Sequence, residues 1–584
     1  TLTGLTVNGN VSVDGGTIKL DGNYPTGTDN VALGDTALDS VEAGGVSNTA
    51  IGDHAGTAIT TGDNNVAVGK GSLQANTTAS KNTAVGAFGL FANLTGIRNT
   101  AVGMSSLEAN TTADNNTAVG FESLKLNTTG NENVSVGTFS SLTNTTGSSN
   151  TAVGKDSLCL NQTGASNTAI GHSALKKNTA SCNTAVGAST LVQNTSGCGN
   201  TAVGRQALDA NTTGDRNVAI GRDALGSNTT ADYNTAVGSE AMELNTTGCC
   251  NVAVGHKALD ANTTADDNTA VGTCSLSANT TGGSNTSLGS FSMKLNTTGA
   301  ANVAVGTQAL NVNTEGASNV AVGYNSLCNN TTASNNTSVG REALANNTTG
   351  AGNSAMGYRA LRNNTTAGTN TAIGFQSLKN NTTALSNTAI GYNTMPSTTT
   401  GATNIAIGND AMTENTTGCL NTVVGVGALM CNTTGYENIA MGGQAMRFNQ
   451  TGNGNTAIGR RALCTNTTGN ENVAIGATAL DANTIGCRGV AIGYNAMGAN
   501  TDGNFNTAVG RSALATNTTG DNNVSVGYSS LQNSTTSSGN TSVGMESMFL
   551  NTTGTENTAM GLCSLRANTT GNSNTAVGCG SLDA

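Results

Sequence analysis

The chain has 584 residues and a net charge of −11, with no Trp, 78 Gly, two Pro, 3% aromatic and 10% charged residues. That composition excludes a few large globular cores, and Lys and Arg scattered without a basic run argue against a nucleic-acid groove or an anchor on anionic membranes. No apolar stretch approaches the roughly 18 residues of a membrane span, so no membrane insertion is expected, and Thr1-Leu2-Thr3-Gly4 begins no signal peptide.

Residues 1–29 read as a β lead-in, short alternating strands joined through Asn8-Gly9 and Gly15-Gly16 turns. From residue 30 to 584 a 17-residue unit recurs about 33 times, and this region is one repetitive domain. Thr1 in place of Met, and an ending at Ala584 partway through a unit, lead us to expect an excerpt whose repeats continue beyond the C-terminus.

Numbering each unit from its first Asn, slots 1 to 5 read Asn, Thr/Val, Ala, Val/Ile, Gly, as in Asn217-Val218-Ala219-Ile220-Gly221. Slots 8 and 9 read Ala/Ser and Leu/Met, and slots 12 to 15 read Asn-Thr-Thr-Gly/Ala, while slots 6, 7, 10, 11, 16 and 17 vary freely. Alternation across slots 2 to 4 predicts a strand with its β-branched residues on one side and Ala on the other. Slots 7 to 9 predict a second short strand. The Gly at slot 5, such as Gly221, Gly238 and Gly255, predicts positive φ or close approach by a neighbour. An Asn-Thr-Thr-Gly every 17 residues breaks any helix.

The architecture that satisfies these constraints is all-β, a parallel β-solenoid or β-roll of about 33 coils. Two asparagine ladders are expected, slot 1 (Asn217, Asn234, Asn251) and slot 12 (Asn228, Asn245, Asn262), bonding from coil to coil. Thr398 and Ser534 interrupt the second ladder, and Gly489 interrupts the first. The unit from Asn30 to Asn48 has one extra residue and the unit at Asn167 lacks one, both in turn-like stretches. Stacked about 4.8 Å apart, such coils make a rod of about 155 Å.

Apolar burial within one thin coil falls short of the entropy lost in ordering 17 residues. The Ala at slot 3, facing away from the Val/Ile side taken as the interior, reads as a second buried surface between copies, and the expected state is a homotrimer.

The string Val-Ala-Ile-Gly at 218–221, 473–476 and 490–493 resembles the head repeat of trimeric autotransporter adhesins, whose coil is shorter than 17 residues. The fuller pattern NTAVG-x-x-A-L-x-x-NTTG-x-x is similar to repeat arrays of phage tail fibres and related virion structural proteins, especially those of cyanophages, and the lead-in resembles theirs. This resemblance implies a tail-fibre shaft that extends a receptor-binding tip, with lateral contacts to host surface glycans. It implies association with other virion or baseplate proteins, assembly in the host cytoplasm and location on the virion, outside the cell. A bacterial surface adhesin is the alternative, and an ice-binding solenoid, suggested by the Thr at slots 13 and 14, is the third reading.

The thirteen Cys occupy only variable slots. Counting places Cys182 and Cys198 both at slot 16 of successive coils, about 4.8 Å apart and within disulfide range, so a bridge there is one reading and free thiols filling surface positions, as in a reducing cytoplasm, are the other. Adjacent Cys249-Cys250 offer a pairing between chains. His54, His172 and His256 lie on separate coils, and no nucleophile elbow, Walker loop or Cys-x-x-Cys occurs, so no enzyme and no cofactor are expected. Asp266-Asp267-Asn268 are the acidic and amide groups that could hold a structural calcium. Asn-Thr-Thr also matches the N-glycosylation sequon, which competes with the ladder reading.

Overall fold

The computed structural model describes residues 27–583, so nearly all of the 1–29 lead-in lies outside the described residues. The chain divides into two units, one ending at Thr281 and one beginning at Gly282. Strands β1 (Val31–Leu33) to β15 (Thr269–Val271) belong to the first, and β16 (Thr286–Leu288) to β33 (Thr575–Val577) to the second. Each unit is a parallel β-solenoid with one three-residue strand per coil, and no helix occurs among the described residues.

Within each unit a strand pairs in register with the strands one coil before and after it. Val218, Ala219 and Ile220 sit opposite Thr235, Ala236 and Val237, which sit opposite Val252, Ala253 and Val254. Like residues therefore stack on like residues, the arrangement a 17-residue period requires. The shortened unit keeps this register, with Thr184 opposite Thr168. The lengthened one does so too, with Val31 opposite Thr49.

The strand faces the other way from the sequence expectation. Ala219, Ala236 and Ala253 at slot 3 are fully buried inside their own coil. The β-branched residues of slots 2 and 4 point outward, Ile220 with 39% and Val203 with 36% exposure. The reason is volume. Leu or Met at slot 9, for instance Leu225 and Met242, is fully buried and fills the thin interior, leaving room opposite it for a methyl or hydroxymethyl group. The exception is Val423, a buried Val at slot 3. Where slot 3 is Ser, the buried hydroxyl bonds a slot-8 Ser, as in Ser287 with Ser292 at 2.8 Å and Ser542 with Ser530 at 2.7 Å.

Slots 7 to 9 form no second strand. They belong to a turn closed by the slot-8 N–H on the slot-5 carbonyl, Ala241 to Gly238 at 3.3 Å, with left-handed backbone at Glu240 (φ 58°) and Met242 (φ 50°). A second turn follows at once, in which Asn245 N–H donates to Met242 O at 3.2 Å. Left-handed non-glycine residues each cost on the order of 1 kcal/mol. At slot 9 complete burial of Leu or Met offsets that cost.

Gly238 has φ 141°, and a Cβ built there would lie 2.5 Å from the Gly255 carbonyl oxygen of the next coil. Gly221 and Gly255 repeat the conformation, with φ 137° and 135°. The slot-5 corner thus needs glycine for both its torsion and its close backbone approach.

Candidate functional site

Most coils carry the same polar interior. Asn217, Asn234 and Asn251 at slot 1, and Asn228, Asn245 and Asn262 at slot 12, are fully buried. In the first ladder the backbone N–H of Asn234 donates to Asn217 Oδ1 at 2.9 Å, and that of Asn251 to Asn234 Oδ1 at 3.0 Å. In the second, Asn245 Nδ2 donates to Asn228 Oδ1 at 3.0 Å and Asn262 Nδ2 to Asn245 Oδ1 at 2.8 Å. Buried amides satisfied along a column hold neighbouring coils in one register, because a slip would orphan each of them.

Interruptions are absorbed only in part: the buried Oδ1 atoms of Asn161, Asn381 and Asn517, one coil before Asn178 of the shortened unit, Thr398 and Ser534, accept no hydrogen bond. Thr398 Oγ1 accepts from Asn415 Nδ2 at 3.3 Å, and the N–H of Gly489 donates to Asn472 Oδ1 at 2.8 Å in place of an asparagine N–H. Ser534 turns to Ser537, whose hydroxyl receives Asn551 Nδ2 at 3.3 Å. Before the second ladder begins at Asn76, its slot is filled by buried Val41 and Ile59. At slot 12 the sequon Asn side chains such as Asn228, Asn245 and Asn262 are buried and their amides bonded, whereas Asn568 near the end of the described residues is only half-buried.

The structure adds a third ladder that the sequence reading does not anticipate. At slot 16 the backbone N–H donates to the slot-16 side chain of the next coil: Asp215 to Asp232 Oδ1 at 2.7 Å, Asn453 to Asn470 Oδ1 at 2.7 Å, Asp521 to Ser538 Oγ at 2.9 Å. The signal in the sequence is an excess of Asp, Asn, Ser and Cys at a slot that otherwise looks free. Asp266 belongs to this ladder, its Oδ1 accepting from Cys249 N–H at 2.7 Å.

The structure separates the slots of Cys182 and Cys198. Cys182 has φ 63° and donates its N–H to Ala165 O at 3.0 Å, the geometry of slot 17. Cys198 lies at slot 16, its N–H on Asp215 Oδ1 at 2.7 Å. The residue missing from the Asn167 unit lies upstream of Cys182, so counting from Asn167 assigns it one slot too early. Ser181, not Cys182, takes slot 16, its Oγ accepting from Ala165 N–H at 3.0 Å. Both cysteines are free thiols, as are Cys249 and Cys250. Burial, then a hydrogen bond with Cys250, pushes the Cys249 thiol up to about 12.

Among the described residues no three His, Cys, Asp or Glu side chains are grouped to hold a metal ion, and no helix is long and apolar enough to cross a membrane. The Thr of slots 13 and 14 do not form one flat array. Thr229 Oγ1 donates to the Thr246 carbonyl at 3.3 Å, whereas the adjacent Thr230 is exposed.

What the solenoid offers to its surroundings is therefore its outer columns. The column at slot 4 is apolar in every strand from Leu33 to Val577, only Val, Ile, Leu and Met occurring, although it faces outward. Neighbouring outward slots such as 6 and 7 accept Asp, Glu, Lys and Arg freely. No protein-family model matches the chain, and no curated protein matches its sequence.

Proposed function

We propose that this chain is the shaft of an elongated, self-associating appendage, a fibre of the phage-tail or virion kind, that holds a receptor-binding tip away from its anchor. The observation that carries this reading is that each 17-residue unit adds one coil in register with the last, with strand partners and buried amides repeated. Length in such a structure is set by unit number, and the three side-chain ladders resist slippage between coils.

Self-association is supported by the slot-4 column. An outward residue that is never charged while its neighbours vary has the chemistry of a covered surface. The partner we assign is a second copy of the same chain, and the proposed state is a homotrimer. The Ala column cannot serve this purpose, being inside each coil.

A bacterial surface adhesin shares the Val-Ala-Ile-Gly strand at 218–221. The 17-residue coil with its Asn-Thr-Thr-Gly turn favours the virion fibre. The test is to delete or insert whole units and measure particle length by electron microscopy. A shaft changes by about 4.8 Å for each unit, or about 24 Å for five, and a length that does not follow unit number overturns the reading.

A further inference from the structure

Five consecutive coils of the second unit, residues 319–403, differ from the rest of the chain in three columns at once. Slot 6 carries Tyr324, Arg341, Tyr358, Phe375 and Tyr392 in succession. Phe375 stacks between Tyr358 and Tyr392, with ring centroids 5.3 and 5.0 Å away and interplanar angles of 22° and 6°. Arg341 lies over the Tyr324 ring at 5.7 Å and Arg359 over Tyr358 at 4.8 Å. These rings are surface groups, Tyr324 being 47% and Tyr392 55% exposed.

Cations gather beside this column. Arg341, Arg359, Arg362 and Lys379 fall in three successive coils, and Glu342 is the one carboxylate within 319–403, in a chain whose net charge is −11. Glu342 takes Arg341 at 3.5 Å, Arg359 at 2.8 Å and Arg362 at 3.0 Å, so one carboxylate is shared by three guanidinium groups, and four cations against one anion leave the segment positively charged. At slot 11 runs an amide column, Asn329 donating to Asn346 at 3.2 Å, Asn346 to Asn363 at 3.0 Å and Asn363 to Asn380 at 2.9 Å. Each bond uses one amide hydrogen and leaves the other for a ligand.

We infer that the surface formed by slots 6, 7, 10 and 11 of residues 319–403 binds a linear acidic polysaccharide lying along the coils. Guanidinium groups and amides recognise carboxylates and hydroxyls in a repeating polymer. The ring edges and phenol hydroxyls line the track and supply apolar contact to sugar C–H groups. Single-stranded nucleic acid needs open ring faces for its bases, and here the faces of Phe375 are covered by Tyr358 and Tyr392. The inference goes beyond the shaft reading and does not depend on it, since length per unit and ligand binding are measured separately.

The test is calorimetric titration of the full chain with polygalacturonate, beside neutral dextran, polyglutamate and oligothymidylate. Polygalacturonate is expected to bind, more weakly as salt rises. Tyr324→Ser with Tyr392→Ser, or Arg341→Gln, is expected to cost about ten-fold in affinity with the melting curve unchanged. Tyr494→Ser, on the same slot outside 319–403, is expected to leave binding intact. Absence of polygalacturonate binding, equal binding of dextran, preference for polyglutamate or oligothymidylate, or indifference to the substitutions in 319–403 overturns the assignment.

Discussion

Asn234 and Asn245, eleven residues apart on one coil, donate to the same acceptor, the Gly248 carbonyl oxygen, each at 2.9 Å. That shared carbonyl ties the two asparagine ladders into one network inside the coil, so neither column is independent of the other.

Asn245→Ala removes a donor to Gly248 O and to Asn228 Oδ1 and the acceptor of Asn262 Nδ2. Orphaned buried groups cost about 1–3 kcal/mol. Because coils interact with nearest neighbours, the loss is expected to be local. Amide hydrogen exchange is expected to accelerate around residues 228–262 and to stay unchanged many coils away.

Gly238→Ala places a methyl group 2.5 Å from the Gly255 carbonyl oxygen at φ 141°. The expected loss exceeds about 1 kcal/mol, while Ser239→Ala, on the next and variable slot, stays within about 0.5 kcal/mol. Urea denaturation of the two variants side by side makes the comparison, and equal midpoints would show that the corner tolerates a side chain.

Thiol reactivity follows burial. Burial is the leading cause that raises the Cys159 and Cys464 thiols, lowering the thiolate fraction at neutral pH, whereas Cys182, Cys250 and Cys579 are exposed. Under native conditions iodoacetamide is expected to modify the exposed three first and the buried pair last, read by peptide mass spectrometry.

The hydrogen bond from Arg359, followed by the charges of Arg359, Arg362 and Arg341, holds the Glu342 carboxyl below its ordinary value against the opposing effect of burial. A lowered folded pKa means that this contribution to stability is present above the unfolded value, about 4.3, and is lost as pH falls through the folded value. Exchange protection of the coil 336–352 is expected to drop in acid, and Glu342→Gln to remove that part of the pH dependence.

Period, strand position, slot-5 glycine and coil architecture are legible in the sequence because each is a matter of spacing. The direction of the strand is not. Alternation distinguishes two faces of slots 2 to 4, and hydrophobicity alone favours Val and Ile inside. The interior volume, filled by Leu225 or Met242, decides for Ala219 and Ala236 instead. Slots 7 to 9 read as a strand because left-handed Glu240 and Met242 carry no glycine to mark the turn. The slot-16 ladder hides because Asp, Asn, Ser and Cys share its role with different side chains. Cys182 is misplaced by counting because a deletion shifts every later residue of its unit by one slot.

Light scattering coupled to size exclusion, under reducing conditions, tests most directly whether the outward slot-4 column is covered by copies of this chain. The predicted result is a mass near three times 57.7 kDa. It is expected to fall to one copy, with the β-sheet circular dichroism retained, when Val119, Val186, Val254, Val322, Ile390, Ile458 and Val526, one slot-4 residue in every fourth coil, are together replaced by Asp. A mass of 57.7 kDa for the unsubstituted chain at every concentration, or an assembly that survives those Asp substitutions, would contradict the slot-4 interface.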